Sequence, residues 1–327
     1  MESVSPVGES DRKLSLVIFA ARESLGTCIR TLNAAHDALP PHGTIDVLVN
    51  GNPNLARSLS EILAGYKALP TTLCVRVWNL PLGDKANAWN AYFHNVWDGE
   101  KLVFFIDGYV RLLPNALRNL MKAVDSRPSS LGGSGVPTVG RTSAALRTAM
   151  LVHGGFHGNL CCVKGDVIED LRRRRIRIPL GVYRVDSILG AVLSFGLNPR
   201  DMAWDPLRVV VCPDASWNID EKSVWRWRDW RAKLNQVERQ LRGEMENAAV
   251  KFFFTELKVQ PEELPKDVRQ LSLAWRKLGK DSYQKFTSHN LLSAFAYWRH
   301  LQQTSDWTMK DVCQLVVQTP FSKTGPF

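Results

Sequence analysis

The sequence predicts an α/β protein with a mixed, mostly parallel sheet flanked by helices. Short apolar runs alternate with stretches of helical periodicity between Leu14 and Asp107, and small polar residues follow the runs. The runs are LSLVIFA (Leu14 to Ala20), TIDVLV (Thr44 to Val49), TLCVRVW (Thr72 to Trp78) and LVFFI (Leu102 to Ile106). Between the first two, Leu25, Ile29, Leu32 and Leu39 recur at helical spacing, so one face of that segment can cover the sheet. Ligands of open α/β sheets sit outside the carboxyl ends of the strands. Ala21, Arg22 and Glu23 follow the first run, Asn50, Gly51 and Asn52 the second, and Asp107 and Gly108 the fourth, which predicts one crevice shared by all.

Composition narrows the classes. A chain of 327 residues that is 45% hydrophobic can bury a large core. It has no run near the ~20 apolar residues of a spanning helix and begins with a polar, acid-bearing segment, so the expected location is cytoplasmic, with peripheral contact at the inner membrane face as an extension. Six cysteines without a C-x-x-C pair predict neither a disulfide framework nor a zinc ribbon. The formal charge of +10 suits an anionic partner, whether nucleotide phosphates, an acidic acceptor, nucleic acid or a membrane surface, and does not choose among them.

Residues 128–217 mix glycine-rich turns with short apolar stretches and one helix from Val185 to Phe195. A boundary is placed at 217/218, dividing residues 1–217 from a C-terminal helical region, 218–327. There Trp227, Trp230, Leu234, Val237, Leu241 and Met245 follow steps of three and four, an amphipathic helix with one apolar seam expected to pack on the first domain. Val268 to Leu278 and Ser288 to Gln303 read as two further helices.

The stretch from Leu82 to Leu117, LGDKANAWNAYFHNVWDGEKLVFFIDGYVRLLPNAL, carries most of the chemistry. A lysine opening a helix, then an apolar strand ending in aspartate, then a proline-initiated helix, puts Lys85 and Asp107 at one sheet edge. A strand-end aspartate alone is more often a cap or turn former. Here the sequence resembles the family-two inverting glycosyltransferases, whose pattern is a glycine-lysine-alanine helix start followed by a strand ending in Asp-x-Asp. The similarity spans about Leu14 to Trp217. It implies the GT-A fold of nucleotide-diphospho-sugar transferases, here with a C-terminal helical extension. Glu23, Asn50, Lys85, Asp107 and Asp186 occur in the family's order.

From the resemblance, Glu23, Asn50, Lys85, Asp107 and Gly108 are expected to hold the nucleotide diphosphate, and His157 and Asn159 to line a loop facing donor or acceptor. Asp107 is the expected ligand of a divalent cation, Mg2+ or Mn2+, which would neutralise the departing diphosphate. Tyr109 stands where the family carries its second acid, so Lys85 or Arg111 is an alternative source of positive charge. Val185 and Asp186 match the acidic pair that supplies the base, with the second acid kept, which makes Asp186 the expected general base. Its plain structural reading is a helix N-cap. The donor is a nucleotide sugar, with a UDP-sugar as the default, and the acceptor a glycan, a lipid-linked or a small-molecule hydroxyl.

His153 and His157 lie four apart with Cys161 and Cys162 behind them, but Gly154, Gly155 and Gly158 argue against a helix that would align them on zinc. Arg172 to Arg175 with Arg177 read as a solvated helix end, or as a patch for an anionic acceptor or acidic lipid. Arg226, Arg228 and Arg231 reach diphosphate or solvent. A nucleotidyltransferase of related fold and an inactive nucleotide-sugar-binding relative are the nearest alternatives. A basic nucleic-acid-binding protein is more distant and no nucleic-acid partner is expected, because the aromatics fall on apolar seams and no recognition motif is present. Neither GxxxxGK[ST] nor GxGxxG follows a predicted strand.

Overall fold

Seven of the first elements build the α/β core in chain order: β1 (Leu14–Ala20), α1 (Leu25–Ala38), β2 (Thr44–Asn50), α2 (Pro53–Ala64), β3 (Leu73–Leu80), α3 (Lys85–Ala91) and β4 (Leu102–Asp107). This is a computed structural model that describes residues 14–40, 43–65, 73–138, 143–219, 227–302 and 306–321, with backbone alone for 227–236. Each helix start has a local cause. Ser24, Asn52 and Asp84 cap α1, α2 and α3 by accepting from Thr27, Leu55 and Asn87 backbone N–H groups, and Pro53 occupies the first turn of α2. Gly51, at φ +67°, brings the loops after β2 and β3 together; a Cβ there would lie 2.5 Å from the Gly83 Cα.

The chain continues through β5 (Val110–Leu112), α4 (Ala116–Asp125), β6 (Gly132–Pro137), α5 (Ala144–His153), β7 (Cys161–Lys164), α6 (Gly165–Arg173), α7 (Val185–Ser194) and β8 (Val209–Ile219). It then forms α8 (Trp227–Lys251), α9 (Val268–Leu278), α10 (Lys280–His289), α11 (Leu291–Leu301) and β9 (Gln314–Phe321). The nine strands make one mixed sheet in the order β5-β8-β6-β7-β4-β1-β2-β3-β9. The run β4-β1-β2-β3 is parallel, and antiparallel β7 and β9 pair with β4 and β3 at its two sides.

The apolar runs serve both faces of the sheet, which is why they read as continuous rather than alternating. Along β1, Val17 and Phe19 join one core cluster while Leu16 and Ile18 join the other. Trp89 of α3 fills the first, stacked at 4.3 Å on Phe105 and tilted at 4.8 Å against Phe19. Phe252, Phe254, Trp275 and Tyr297 from the C-terminal third belong to that same cluster.

The expected C-terminal organisation is corrected in four respects. β8 runs through the 217/218 boundary, and residues on both sides share a core. The last third is not wholly helical, because β9 returns to pair with β3. The stretch after α9 contains two helices, α10 and α11, where one was expected. Val237 of the expected seam is 55% exposed, so the seam does not pack there, although Met245 is buried. The side chains of Trp227, Trp230, Leu234, Arg226, Arg228 and Arg231 lie outside the described residues. Among the described residues no helix is long and apolar enough to cross a membrane.

One buried polar knot ties the parallel strands. Asp46 of β2, fully buried, accepts from Arg76 Nε and Nη2 at 2.7 and 2.8 Å and from Trp78 Nε1 at 2.8 Å, all on β3. Removing one partner leaves the other as an uncompensated buried charge, which costs more than the pair's net contribution. Asp46→Ala is therefore expected to lower unfolding free energy by about 3–5 kcal/mol, read from denaturant midpoints. A loss under about 1 kcal/mol would show that water reaches Arg76 freely.

Candidate functional site

The strand order places the site. β2 and β3 lie on one side of β1 and β4 on the other, so a crevice opens where the order reverses, at the carboxyl ends of β1 and β4. The Gly108 N–H, just past β4, donates to Phe19 O of β1 at 2.8 Å, and the Thr31 hydroxyl of α1 donates to Gly108 O. A Cβ on Gly108 would lie 3.1 Å from Phe19 O, so the close approach of the two strand ends requires a small residue.

Lys85, first residue of α3, reaches Asp107 Oδ1 with its Nζ at 2.5 Å. Burial alone would lower the Lys85 pKa, but the Asp107 carboxylate and then Asp186 outweigh it, so the ammonium is favoured. Tyr109 Oη lies 3.0 Å from Asp107 Oδ2 and 3.2 Å from Asn159 Oδ1, and its single proton serves one of them at a time. Burial first and the Asp107 charge second push the phenol pKa up, which keeps it a donor. The residue in place of a second acid thus holds the first.

Across the crevice, the Gly158 N–H donates to Asp186 Oδ2 at 2.9 Å. A Cβ on Gly158 would sit 3.3 Å from Lys85 Nζ and 3.4 Å from Asp186 Oδ2, which places this glycine between cation and carboxylate. Asp186 is not the helix N-cap: α7 starts at Val185, Arg184 takes the cap position, and Asp186 lies in the first turn with Oδ1 accepting from Ser187 N–H. Each carboxylate oxygen has one backbone donor and a lone pair to spare.

His157 is held by packing and hydrogen bonds. Its ring stacks on Trp217 at 5.4 Å, its N–H donates to Ser134 Oγ at 3.1 Å, and its Nδ1 accepts from Asn159 N–H at 3.2 Å. Burial lowers its pKa more than Asp186 and Asp107 raise it, so the neutral ring accepts through Nδ1. His153 ends α5, away from any such arrangement, and no group of three or more His, Cys, Asp or Glu able to cage a metal exists among the described residues.

Glu23 and Asn50 lie at the same sheet edge but bond locally. Glu23 Oε2 accepts from its own loop, the Ala21 and Arg22 N–H groups at 2.6 and 2.9 Å, and Asn50 Nδ2 donates to Ala20 O at 3.0 Å. Lys85, Asp107, Asn159, Gly158 and Asp186 form the contiguous part, while Glu23 and Asn50 shape its β1–β2 rim. Within the arginine run, Arg172 donates to Phe93 O and Trp97 O, Arg173 pairs with Asp170, Arg174 with Glu262 and Arg177 with Asp311, while Arg175 is exposed.

Three supports of the site were missed in the sequence. Asp84 caps α3 and also accepts from Gly181 N–H at 2.7 Å; its position before a helix start was a legible signal for the first role only. Glu246 of α8 accepts from Tyr183 N–H at 2.6 Å and from Arg242 Nε at 3.0 Å, while Arg242 Nη1 contacts His300 Nδ1 at 3.2 Å. Together they hold residues 181–184, the segment that delivers Asp186, and nothing local in the sequence marks Glu246 or Arg242.

Burial pushes the Glu246 carboxyl up from 4.5 to about 7, against the opposing pull of Arg242 and the two backbone donors. Between those values the folded chain keeps a proton that the unfolded chain has released, so this group's contribution falls as pH rises through about 7. Unfolding free energy measured from pH 5 to 8 is expected to fall less steeply in Glu246→Gln than in the parent, by about 1–3 kcal/mol over the window. Parallel profiles would show that Glu246 titrates normally.

No sequence-family profile matches the chain, and no curated protein matches it by sequence. In structure it is similar to the mannosyltransferase PcManGT from Pyrobaculum calidifontis, solved in complex with GDP-Man and Mn2+. The TM-score is 0.53 at 13% identity, over 90% of this chain and 88% of that one. At that identity the likeness is one of architecture alone, a mixed sheet flanked by helices that resembles the fold of that mannosyltransferase.

Proposed function

We propose that the chain is an inverting, nucleotide-sugar-dependent glycosyltransferase of GT-A type, related to family two. The observation that carries this reading is the convergence of Lys85–Asp107 and Asp186 on Gly158 at the crevice where the strand order reverses. The likeness in fold to a mannosyltransferase solved with GDP-Man supports it.

In this reading the donor diphosphate lies over the ends of β1 and β4, with the Lys85 ammonium facing its charge, Gly108 on the floor and Glu23 and Asn50 at the rim. The acceptor hydroxyl lies against Asp186. As its oxygen attacks the anomeric carbon, Asp186 takes the proton, the new bond forms on the face opposite the leaving group, and the bond to the diphosphate breaks. Nucleoside diphosphate departs with the bonding electrons, and no covalent enzyme intermediate is needed. His157 and Asn159 hold the loop that carries Gly158.

A strand-end carboxylate offers the hard oxygen that a divalent cation takes, with water and phosphate oxygens for the rest of its shell, once the Lys85 ammonium turns from Asp107 to the diphosphate. Asp107 would hold Mg2+ or Mn2+, which would neutralise charge on the diphosphate. The acceptor is a glycan, lipid-linked or small-molecule hydroxyl.

A panel of UDP-sugars and GDP-mannose, read as released nucleoside diphosphate, tests the activity; pyrophosphate release would instead point to nucleotidyl transfer, and binding without release to an inactive relative. Chelation is expected to abolish most turnover, with recovery on adding Mn2+ or Mg2+, and undiminished turnover in chelator would leave neutralisation to Lys85. Asp107→Ala is expected to lose donor binding in calorimetry. Asp186→Asn is expected to keep donor binding and lose transfer by about 100 to 10,000-fold. Near-parental transfer by a folded, donor-binding Asp186→Asn protein would remove Asp186 from the base role.

A further inference from the structure

Helix α11 presents an unusual outer face. Leu291, Leu292, Phe295 and Trp298 are 71, 72, 60 and 57% exposed, and at 3.6 residues per turn they lie along one side of the helix, with the Phe295 and Trp298 rings 6.2 Å apart. The direction of this side is set by packing. Ser293 Oγ donates to Glu244 Oε2 of α8 at 2.6 Å, Arg299 pairs with Glu238 of α8 at 3.2 Å, and buried Tyr297 donates its hydroxyl to Val268 O of α9. Turning the stripe inward would break the Ser293 and Tyr297 contacts, so its exposure follows from the packing of the helix.

The segment that carries the stripe is rich in cations, and the neighbouring acids Glu238 and Glu244 of α8 are engaged by Arg299 and Ser293. From Val268 to Leu301 the sequence holds Arg269, Arg276, Lys277, Lys280, Lys285 and Arg299 against the lone acid Asp281. Arg276, Lys277, Lys280 and Lys285 are exposed, and α10, which carries the last two, has no buried residue. A second copy of this chain seated on the face would bring cations against cations. An exposed apolar stripe within a helical segment whose exposed charges are mostly lysine and arginine is instead complementary to an anionic bilayer, where hydrocarbon takes the stripe and acidic headgroups take the cations.

We propose that the α9–α11 face docks on an anionic lipid surface, with α11 lying in the interfacial plane and Leu291, Leu292, Phe295 and Trp298 inserted among the headgroups. The attachment is peripheral. It does not rest on the arginine run at the end of α6, nor on the reaction assigned to the crevice.

The test is flotation of the full chain with phosphatidylcholine vesicles, with or without phosphatidylserine. Binding is expected to require phosphatidylserine and to weaken with salt. The pair Phe295→Ser with Leu292→Ser should lower partitioning by about tenfold or more. Lys277→Glu with Lys285→Glu should lower it on phosphatidylserine vesicles. Circular dichroism and thermal midpoints establish that these variants fold. For the parent, quenching of tryptophan by brominated lipid, diminished in Trp298→Phe, reports insertion without a disruptive substitution. Absence of partitioning, or partitioning unchanged in folded variants, would overturn the proposal. So would a parental dimer, seen by sedimentation equilibrium, that Phe295→Ser dissociates, since the face would then belong to a second copy.

Discussion

The reversal of strand order at β1 is the constraint on which the site depends. β1, β2 and β3 are laid down successively to one side, and β4 is then placed on the other side of β1, which leaves the ends of β1 and β4 uncovered between diverging connections. The Gly108 N–H bond to Phe19 O closes the floor of that opening. Lys85 enters because α3, started by the Asp84 cap, points its first turn at the end of β4.

On this floor the polar groups work by mutual restraint. Asp107 is gripped by Lys85 and Tyr109, Asp186 by two backbone N–H groups, and His157 by Trp217 and Ser134. Such pre-satisfied groups lose little freedom when a ligand arrives, which is what a positioned acid, base or cation requires. The segment before Asp186 is fixed from outside the α/β core by Glu246 and Arg242, so the C-terminal helices are part of the site's support.

The same helices face two ways. Their inner side supplies Phe252, Phe254, Trp275 and Tyr297 to the core around Trp89 and Phe105, and their outer side carries the apolar stripe and its cations. Packing against α8 and α9 fixes both at once, with Ser293 and Tyr297 turned to those helices and Trp298 left exposed.

The strands β1 to β4, the sheet-facing side of α1 and the meeting of Lys85 with Asp107 were legible in the sequence. Each follows from a local pattern: an apolar run, a polar residue at its end, a stretch of helical periodicity between runs. Asp186 was legible as a candidate, but its first-turn placement in α7 and its contact with Gly158 came from the fold. The phenol of Tyr109 on Asp107, the Glu246–Arg242 support, β9 beside β3 and the outward side of α11 were decided by tertiary structure alone. The hold of Glu246 on Tyr183 and the pairing of β9 with β3 join residues separated by tens to hundreds of positions, and the Tyr109 contact depends on how a side chain turns at a strand end. For α11, periodicity fixes that a helix has two faces without fixing which one the rest of the chain will cover.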